Sequence, residues 1–525
     1  MDKALQMGKT SATGSFQVLI GVAASTVIMA VGTIILGRLL TPDEYGLYNI
    51  TLIPLTTITL FRDWGINSAM IKCIASLRAS QKDEEIRAVI TAGVIFEAMS
   101  GIALSFLSLA LATFIATAVF HRSESTFFIQ ILSVSIISGS LLTASQAVFI
   151  GFERMELNSF ILICQATVKT VAGPILVYLG YNILGAVIGY SLGFIAAGII
   201  GLTTFYLTLY RPLRKKGTTD VTKTLRTMLN YGLPLSVYTI LGGILGQTYL
   251  FMVPSFVSNT LYGNYTTAAN FFVLPTFLTT PITTVLFPAF AKLDAQNDNE
   301  LVKTVFASSI KYTSLLLIPV TMAMMALSSP IIATLYGEKY IYGPFFLTIA
   351  IISNLFAAVG SLSAGSLLSG LGETRILMIQ SIITLIIGLP LGFILIPALG
   401  ITGLIIANTV SGVPSMLWGL HWIWKHYNAK ADLKSSTKIL AASAISATIA
   451  FLILNFIAYA YWIKLVAGGA VFLASYLITA PIIGAISQSD IKNLKMMFSG
   501  LGIISKLLNV PLTIMEKLSK ADNNP

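Results

Sequence analysis

Charge is scarce in this sequence. Only 10% of its 525 residues are Asp, Glu, Lys or Arg, against about 25% in a soluble domain. Hydrophobic residues make up 55%, and mean hydropathy is +0.85. So few charges cannot cover a wet surface. A soluble globular protein is excluded, and an all-α chain that crosses a membrane many times is implied. Cysteine is nearly absent as well. Cys73 and Cys164 both fall on the expected cytosolic side, and no disulfide framework follows from them. Three scattered histidines (His121, His421 and His426) make metal chemistry a poor fit, no GxxxxGK[ST] loop is present, and no cofactor is implied. Long polar loops are missing, which leaves no room for a fused catalytic domain or a nucleotide-binding cassette. A cleavable leader is not expected either, because "MDKALQMGKTSATG" is polar and the apolar run after it is long enough to span.

What is present is a series of apolar runs. A helix needs about 20 apolar residues to cross the bilayer. That window predicts fourteen spans: 16–39, 45–70, 88–119, 127–150, 157–179, 182–209, 229–256, 263–290, 305–328, 342–365, 375–397, 400–423, 438–460 and 463–486. With the N-terminus inside, 27 of the 32 Lys and Arg lie on the cytosolic side. Arg38, Arg122, Lys339 and Lys464 fall outside, and Lys169 is mid-span. This is the positive-inside asymmetry. It predicts a multi-pass protein of the cytoplasmic membrane with both termini cytosolic. The net charge of +11 is then a topology signal and a surface for anionic lipid headgroups, not a nucleic-acid patch.

The chain also repeats itself. Tyr45-Gly46-x-Tyr48 after span 1 returns as Tyr262-Gly263-x-Tyr265 after span 7, an offset of 217. "LVYLGYNILGAVIG" between spans 5 and 6 resembles "LIPALGITGLIIAN" between spans 11 and 12, pairing Gly180 with Gly400 and Gly185 with Gly403. "FIGFERMEL" pairs with "LSGLGETRI" through Gly151 and Gly370, and Lys72 with Lys292. Four matches in one order at nearly constant offset predict a duplicated six-helix bundle. Six is even, so the repeats enter the membrane in parallel. The expected division is an N-terminal lobe at 1–209, a basic linker at 210–228, a C-terminal lobe at 229–423, extra helices within 438–486 and an amphipathic basic tail at 489–525. Glycine in the repeated Tyr-Gly motif is expected to permit a tight turn, with the tyrosines anchored at the interface. Gly242, Gly243 and Gly246 in span 7 and Pro275, Pro281, Pro319 and Pro390 in later spans suit close packing and kinks, or hinges between two states.

Ionisable groups at membrane depth are costly and usually face an interior cavity. Arg62 and Asp63 lie in "LFRDWGIN" near the end of span 2. Glu97 is deep in span 3, on a face with Gly93, Gly101 and Ser105. Lys169 is central in span 5, with Gln165 and Gly173 a turn away on either side. Lys311 shares a polar stripe of span 9 with Thr304, Ser308 and Ser314. For Arg62 and Lys311, snorkelling to the interface is an open alternative. For Glu97 and Lys169 the alternative is a structural ion pair between spans 3 and 5. Otherwise these groups make a cationic cavity with two carboxylates, suited to an anionic substrate whose diphosphate takes Lys and Arg donors.

"GRLLTPDEYGLYNI", "RDWGINSAMIK", "YGLPLSVYTI" and "VLFPAFAKL" together resemble the polysaccharide flippases, which export O-antigen-type lipid-linked oligosaccharides. These belong to the multidrug/oligosaccharidyl-lipid/polysaccharide exporter superfamily. The resemblance runs over roughly residues 10–490 through degenerate hydrophobic motifs. It implies a MATE-like fold, with two six-helix lobes around a V-shaped cavity and two extra C-terminal helices. It also implies movement of an isoprenoid (di)phosphate-linked glycan between leaflets, with membrane lipids around the protein and glycosyltransferases or a polymerase as pathway partners. The basic role carries over onto Arg62, Lys169 and Lys311, and more weakly onto Arg38 at the outer rim. Asp63 stands where the family often has an acidic residue before glycine, a place implied to orient Arg62 or couple an ion, with Glu97 as counter-ion. A drug/cation antiporter of the same superfamily is the first rival, though Phe16–Leu39 and Leu229–Val257 lack the acidic residue it keeps in spans 1 or 7. A membrane glycosyltransferase or polymerase is the second. "PDEY" could pass for its acidic motif, but the long external loop such an enzyme needs is missing.

Overall fold

A computed structural model describes residues 2–213, 220–275, 290, 299–456, 459–498 and 510–516. Among them every regular element is helical. Lipid offers no hydrogen bonds to a bare backbone, so a spanning chain satisfies its N–H and C=O groups within each helix. Nine helices among the described residues are long and apolar enough to cross a membrane, or up to eleven if each bent pair counts once. The stretch Met155–Leu213 holds expected spans 5 and 6 together, parted where Gly180 takes φ 94°. The later part of expected span 8, with Pro281 and all of "VLFPAFAKL" but Phe290, lies outside the described residues, as do Lys292 and parts of the linker and tail. Large side chains such as Phe106, Ile386 and Phe393 sit on the outside, the inversion that a hydrocarbon solvent permits.

The chain forms two compact units, Met1–Gly263 and Asn264–Pro525. In the first, Thr41 opens the helix Pro42–Thr59 with a reciprocal capping box to Glu44, and Pro42 sits in the first turn. This is what "TPDE" does. Span 2 is not continuous over 45–70. It stops at Thr59 and restarts as Ile66–Ala79, after a turn in which Trp64 and Gly65 take φ 50° and 74°. Gly65 has a left-handed backbone, and a side chain there would overlap the backbone of Gly232 in span 7. The duplicated Tyr-Gly motifs are also not turns. Gly46 and Gly263 both lie inside helices, where a side-chain carbon on Gly46 would overlap the Asn259 carbonyl and one on Gly263 the Pro42 carbonyl. Close helix approach is what demands glycine here, and Tyr45, Tyr48 and Tyr262 are buried rather than interfacial.

The other repeats show matching local geometry in the two units. Glu153 and Gly372, both at positive φ (58° and 81°), end their helices. The next amides reach back alike, Arg154 to the Phe149 carbonyl and Glu373 to that of Leu368, each at 2.8 Å. Both are the same left-handed helix stop. Gly180 and Gly400 likewise both take positive φ.

In the second unit, span 10 is broken. Gly343–Ala350 runs into a 3₁₀ stretch, Ile351–Val359, and Gly360 (φ 97°) turns it by 55° into Ser361–Gly370. The tail helix Gln488–Phe498 docks through its apolar face: its Ile491 and Leu494, with Leu512 and Met515 further on, are buried among Ile439, Phe472 and Leu477 of spans 13 and 14.

Candidate functional site

The break in span 2 creates the main polar cluster. By ending the helix at Thr59 it turns Arg62 and Asp63 inward, toward span 3. Arg62 Nε lies 3.7 Å from Glu97 Oε2, with Glu97 fully buried and the Arg62 side chain 11% exposed. Arg62 Nη2 donates to Thr143 Oγ1 (3.0 Å) in span 4, and Ser100 Oγ donates to the Arg62 carbonyl (2.9 Å). Asn67 bridges the carboxylates. Its Nδ2 donates to Glu97 Oε1 at 2.9 Å and its backbone N–H to Asp63 Oδ1 at 2.8 Å. The cluster is not saturated. Arg62 Nε, Asn67 Oδ1 and Glu97 Oε2 are buried without a hydrogen-bond partner, a state tolerated at sites that bind or switch.

Lys169 is placed differently. Its ammonium lies 4.3 Å from the centre of the Tyr190 ring in span 6, a cation–π contact. It makes no ion pair among the described residues, and Glu97 takes Arg62 and Asn67 as its partners instead. The alternative of a Glu97–Lys169 pair is thus set aside by geometry. A side-chain carbon on Gly193 would stand 2.8 Å from Lys169 Cβ, so the lysine root is held by close helix packing. Tyr190 packs on Phe194 (ring centres 5.1 Å apart), and Phe194 and Arg62 Nη1 both approach Gly139, within 3.4 and 3.1 Å of where its side chain would begin. Arg62 and Lys169 therefore stand at the two ends of one aromatic wall on span 6. Composition gave no sign of Tyr190 or Thr143. The i, i+4 spacing of Tyr190 and Phe194 inside an apolar span was the available signal.

The other two basic candidates lie elsewhere. Lys311 Nζ meets Asp490 Oδ2 of the tail helix at 2.6 Å. Next to it, Asn493 Nδ2 donates to Tyr312 OH (2.8 Å). Burial pushes the Asp490 carboxyl up, but hydrogen bonds from Lys311 and Ser487 outweigh it and hold it below its ordinary value. Arg38 is exposed in the last turn of the first helix, where a cation complements the helix dipole.

A second polar network, missed in the sequence, surrounds Arg122 in the turn between spans 3 and 4. Arg122 donates to the carbonyls of Phe120, Pro254 and Val257, each at 2.6 Å, and to the Asn259 side chain. Asp43 accepts from Asn259 Nδ2 (3.3 Å) and Thr260 Oγ1 (3.2 Å). These bonds join the turns after spans 1, 3 and 7, which is how the first unit reaches Gly263. Asp43 and Glu44 are thereby occupied in structure. Among the described residues no group of three His, Cys, Asp or Glu could hold a metal.

A family model described as polysaccharide biosynthesis protein matches residues 35–342. The chain is 22% identical over 324 residues to the probable low-salt glycan biosynthesis flippase Agl15 of Haloferax volcanii, covering 61% of this chain and 63% of that protein. It is 24% identical over 305 residues to the uncharacterized membrane protein MJ1375 of Methanocaldococcus jannaschii, covering 55% and 69%. The match thus spans just under two thirds of the first relative. Among solved structures, the fold is similar to the lipid II flippase MurJ in an inward closed conformation, with TM-score 0.71, 16% identity, and 89% and 98% of the two chains covered. It is also similar to an inward-facing multidrug resistance MATE family transporter of the MOP superfamily, with TM-score 0.64, 15% identity, and 79% and 100% covered. At these identities the likeness to solved structures is one of fold.

Proposed function

This chain belongs to the polysaccharide biosynthesis protein family, and from that premise we propose that it is a flippase moving an isoprenoid (di)phosphate-linked oligosaccharide across the cytoplasmic membrane by alternating access. The observation that supports this most is the pair of cations at membrane depth. Lys169 lies fourteen residues beyond Met155, about 21 Å along the helix at 1.5 Å per residue, inside a hydrocarbon core about 30 Å thick. An unpaired cation at such depth costs at least about 2.5–3.5 kcal/mol. A diphosphate offers Lys169 and Arg62 charge-assisted bonds that no described carboxylate gives Lys169. The curated relative named as a flippase points the same way.

In this reading Arg62 and Lys169 take the diphosphate. Glu97 and Asp63 hold Arg62 in place between substrates and are the groups through which an ion would couple. Spans 1–6 and 7–12 are the repeated lobes, joined by the linker 210–228, with both termini cytosolic. Glycosyltransferases supply the substrate. A cation-coupled drug antiporter draws support from the fold alone, and Lys169 would repel its cationic cargo.

Deletion of the gene should make lipid-linked glycan intermediates accumulate, read by mass spectrometry of extracted lipids. Lys169→Ala should reproduce that accumulation at near wild-type protein abundance, and Lys169→Arg should restore part of the transport. Normal transport by Lys169→Ala would refute the assignment. Loss of the protein from the membrane would make Lys169 a structural residue.

A further inference from the structure

The second unit holds a cavity of about 310 Å³ that none of the charges above enters. Its polar lining is Tyr265, Ser353, Asn354, Asn408 and Thr409, with Phe272 beside them. No Asp, Glu, Lys, Arg or His is among its described lining residues. The volume is at the small end of the roughly 300–1,000 Å³ typical of small-molecule sites, enough for a sugar ring and too little for a long glycan.

Three observations make this a built site. First, irregular backbone at membrane depth is tolerated where it is buried in protein or lines a cavity, and two interrupted helices meet here. Span 8 passes through a 3₁₀ turn at Asn270–Phe272, and span 10 is 3₁₀ over Ile351–Val359. Second, the carboxamides of Asn354 and Asn408 have no hydrogen-bond partner in the protein among the described residues. Asn408 is seven residues into the helix Ile401–Tyr427, about 10 Å along it, and its side chain is exposed there, with Asn354 half-buried beside it, so both amides are open to a ligand. An asparagine that only glued helices together would be bonded to a neighbour, as Gln380 Nε2 is to the Ser415 carbonyl at 3.0 Å. Third, Tyr265 and Phe272 meet edge to face, ring centres 6.5 Å apart, and place aromatic surface beside the amides.

Amides and hydroxyls next to an aromatic edge, without charge, match a neutral sugar. Hydroxyl and acetamido groups give and accept the hydrogen bonds, and the apolar face of the ring lies on the aromatics. We propose that this cavity is a subsite for one neutral or N-acetylated sugar of the cargo, bound by Asn354 and Asn408. The proposal rests on the flippase reading for its ligand class.

Two probes test this on the full-length protein in lipid nanodiscs: farnesyl diphosphate, and the same lipid carrying one N-acetylglucosamine. The sugar-bearing probe should bind wild type at least about tenfold more tightly. Asn354→Leu with Asn408→Leu should remove that increment and leave affinity for farnesyl diphosphate unchanged. Lys169→Ala should weaken both probes equally. Equal affinity of wild type for the two probes, or an increment that survives the double variant, overturns the subsite. If the double variant fails to fold, Asn408→Ala alone is read in the same way. A separate arm uses no lipid. Millimolar N-acetylglucosamine should raise the Tm of wild type and not of the variant, and glucuronic acid should raise neither. Absence of binding by both lipid probes counts against the flippase reading, while the free-sugar arm still decides the cavity. No shift with free N-acetylglucosamine, or an equal shift with glucuronic acid, overturns it.

Discussion

At Gly46 a single hydrogen atom in place of a side chain allows two helices to touch. A methyl group would overlap the carbonyl of Asn259, and that carbonyl belongs to backbone that cannot rotate away. Overpacking of this kind costs about 1–3 kcal/mol. Gly46→Ala is therefore expected to lower the Tm of the detergent-solubilised protein by several degrees. Gly242→Ala, where nothing lies within 4 Å, should leave Tm unchanged or raise it slightly, since alanine favours helix. Equal effects at the two glycines would contradict the packing account. The same scale governs the Arg62–Glu97 pair. Removing one partner leaves the other charge buried, at about 3–5 kcal/mol. Arg62→Ala should therefore destabilise more than Arg62→Ala combined with Glu97→Ala, a double-mutant cycle read by thermal unfolding.

Among the elements, the turn carrying Arg122 and the tail helix make opposite uses of charge. Arg122 satisfies three carbonyls and an asparagine from one guanidinium. Hydrogen bonds to a charged group contribute about 1.5–3 kcal/mol. Arg122→Ala should loosen residues 253–263, seen as faster labelling of a cysteine placed at the exposed Phe256. Arg122→Lys should rescue little, because one ammonium cannot reproduce the planar fork. The tail is held by Lys311 and Asp490, and Asp490 has a folded-state pKa below its ordinary 3.8. A depressed acid contributes stability that is present above the unfolded value and lost as pH falls through the folded one. Tail docking should thus be constant from pH 8 to pH 5 and weaken only below about 3.8. A fluorophore on the tail would report it, and Asp490→Asn should dock poorly at every pH. Release near neutral pH in wild type would contradict the assignment.

For the whole molecule, topology is the property most open to direct measurement. The Lys and Arg distribution predicts that reporter fusions after Gly180 and Gly400 read external and those after Lys216 and Lys430 cytosolic. A reversed reading at any two of these sites would sink the orientation.

Class and approximate spans were legible in the sequence, and so was the glycine spacing that predicts a duplication, because each depends on local chemistry. Hydrocarbon admits only long apolar runs, and a helix stop depends on its own few residues. Gly180 and Gly400 both take positive φ, and the stops two residues beyond Gly151 and Gly370 match although one carries Glu153 where the other has Gly372. The ionisable residues of the candidate site were visible too, since a charge inside an apolar run stands out by itself. Tertiary structure alone decided their partners. Glu97 takes Arg62 rather than Lys169 because span 2 breaks at 60–65, and that break depends on Gly65 lying against Gly232, 167 positions away. Lys311 meets the tail helix because Asp490 folds back across a long loop closure. Gly46 and Gly263 announced a repeat, but only their contact with distant backbone showed that the need was close approach and not a turn. Hydropathy and spacing are properties of a segment, whereas pairing depends on which segments meet.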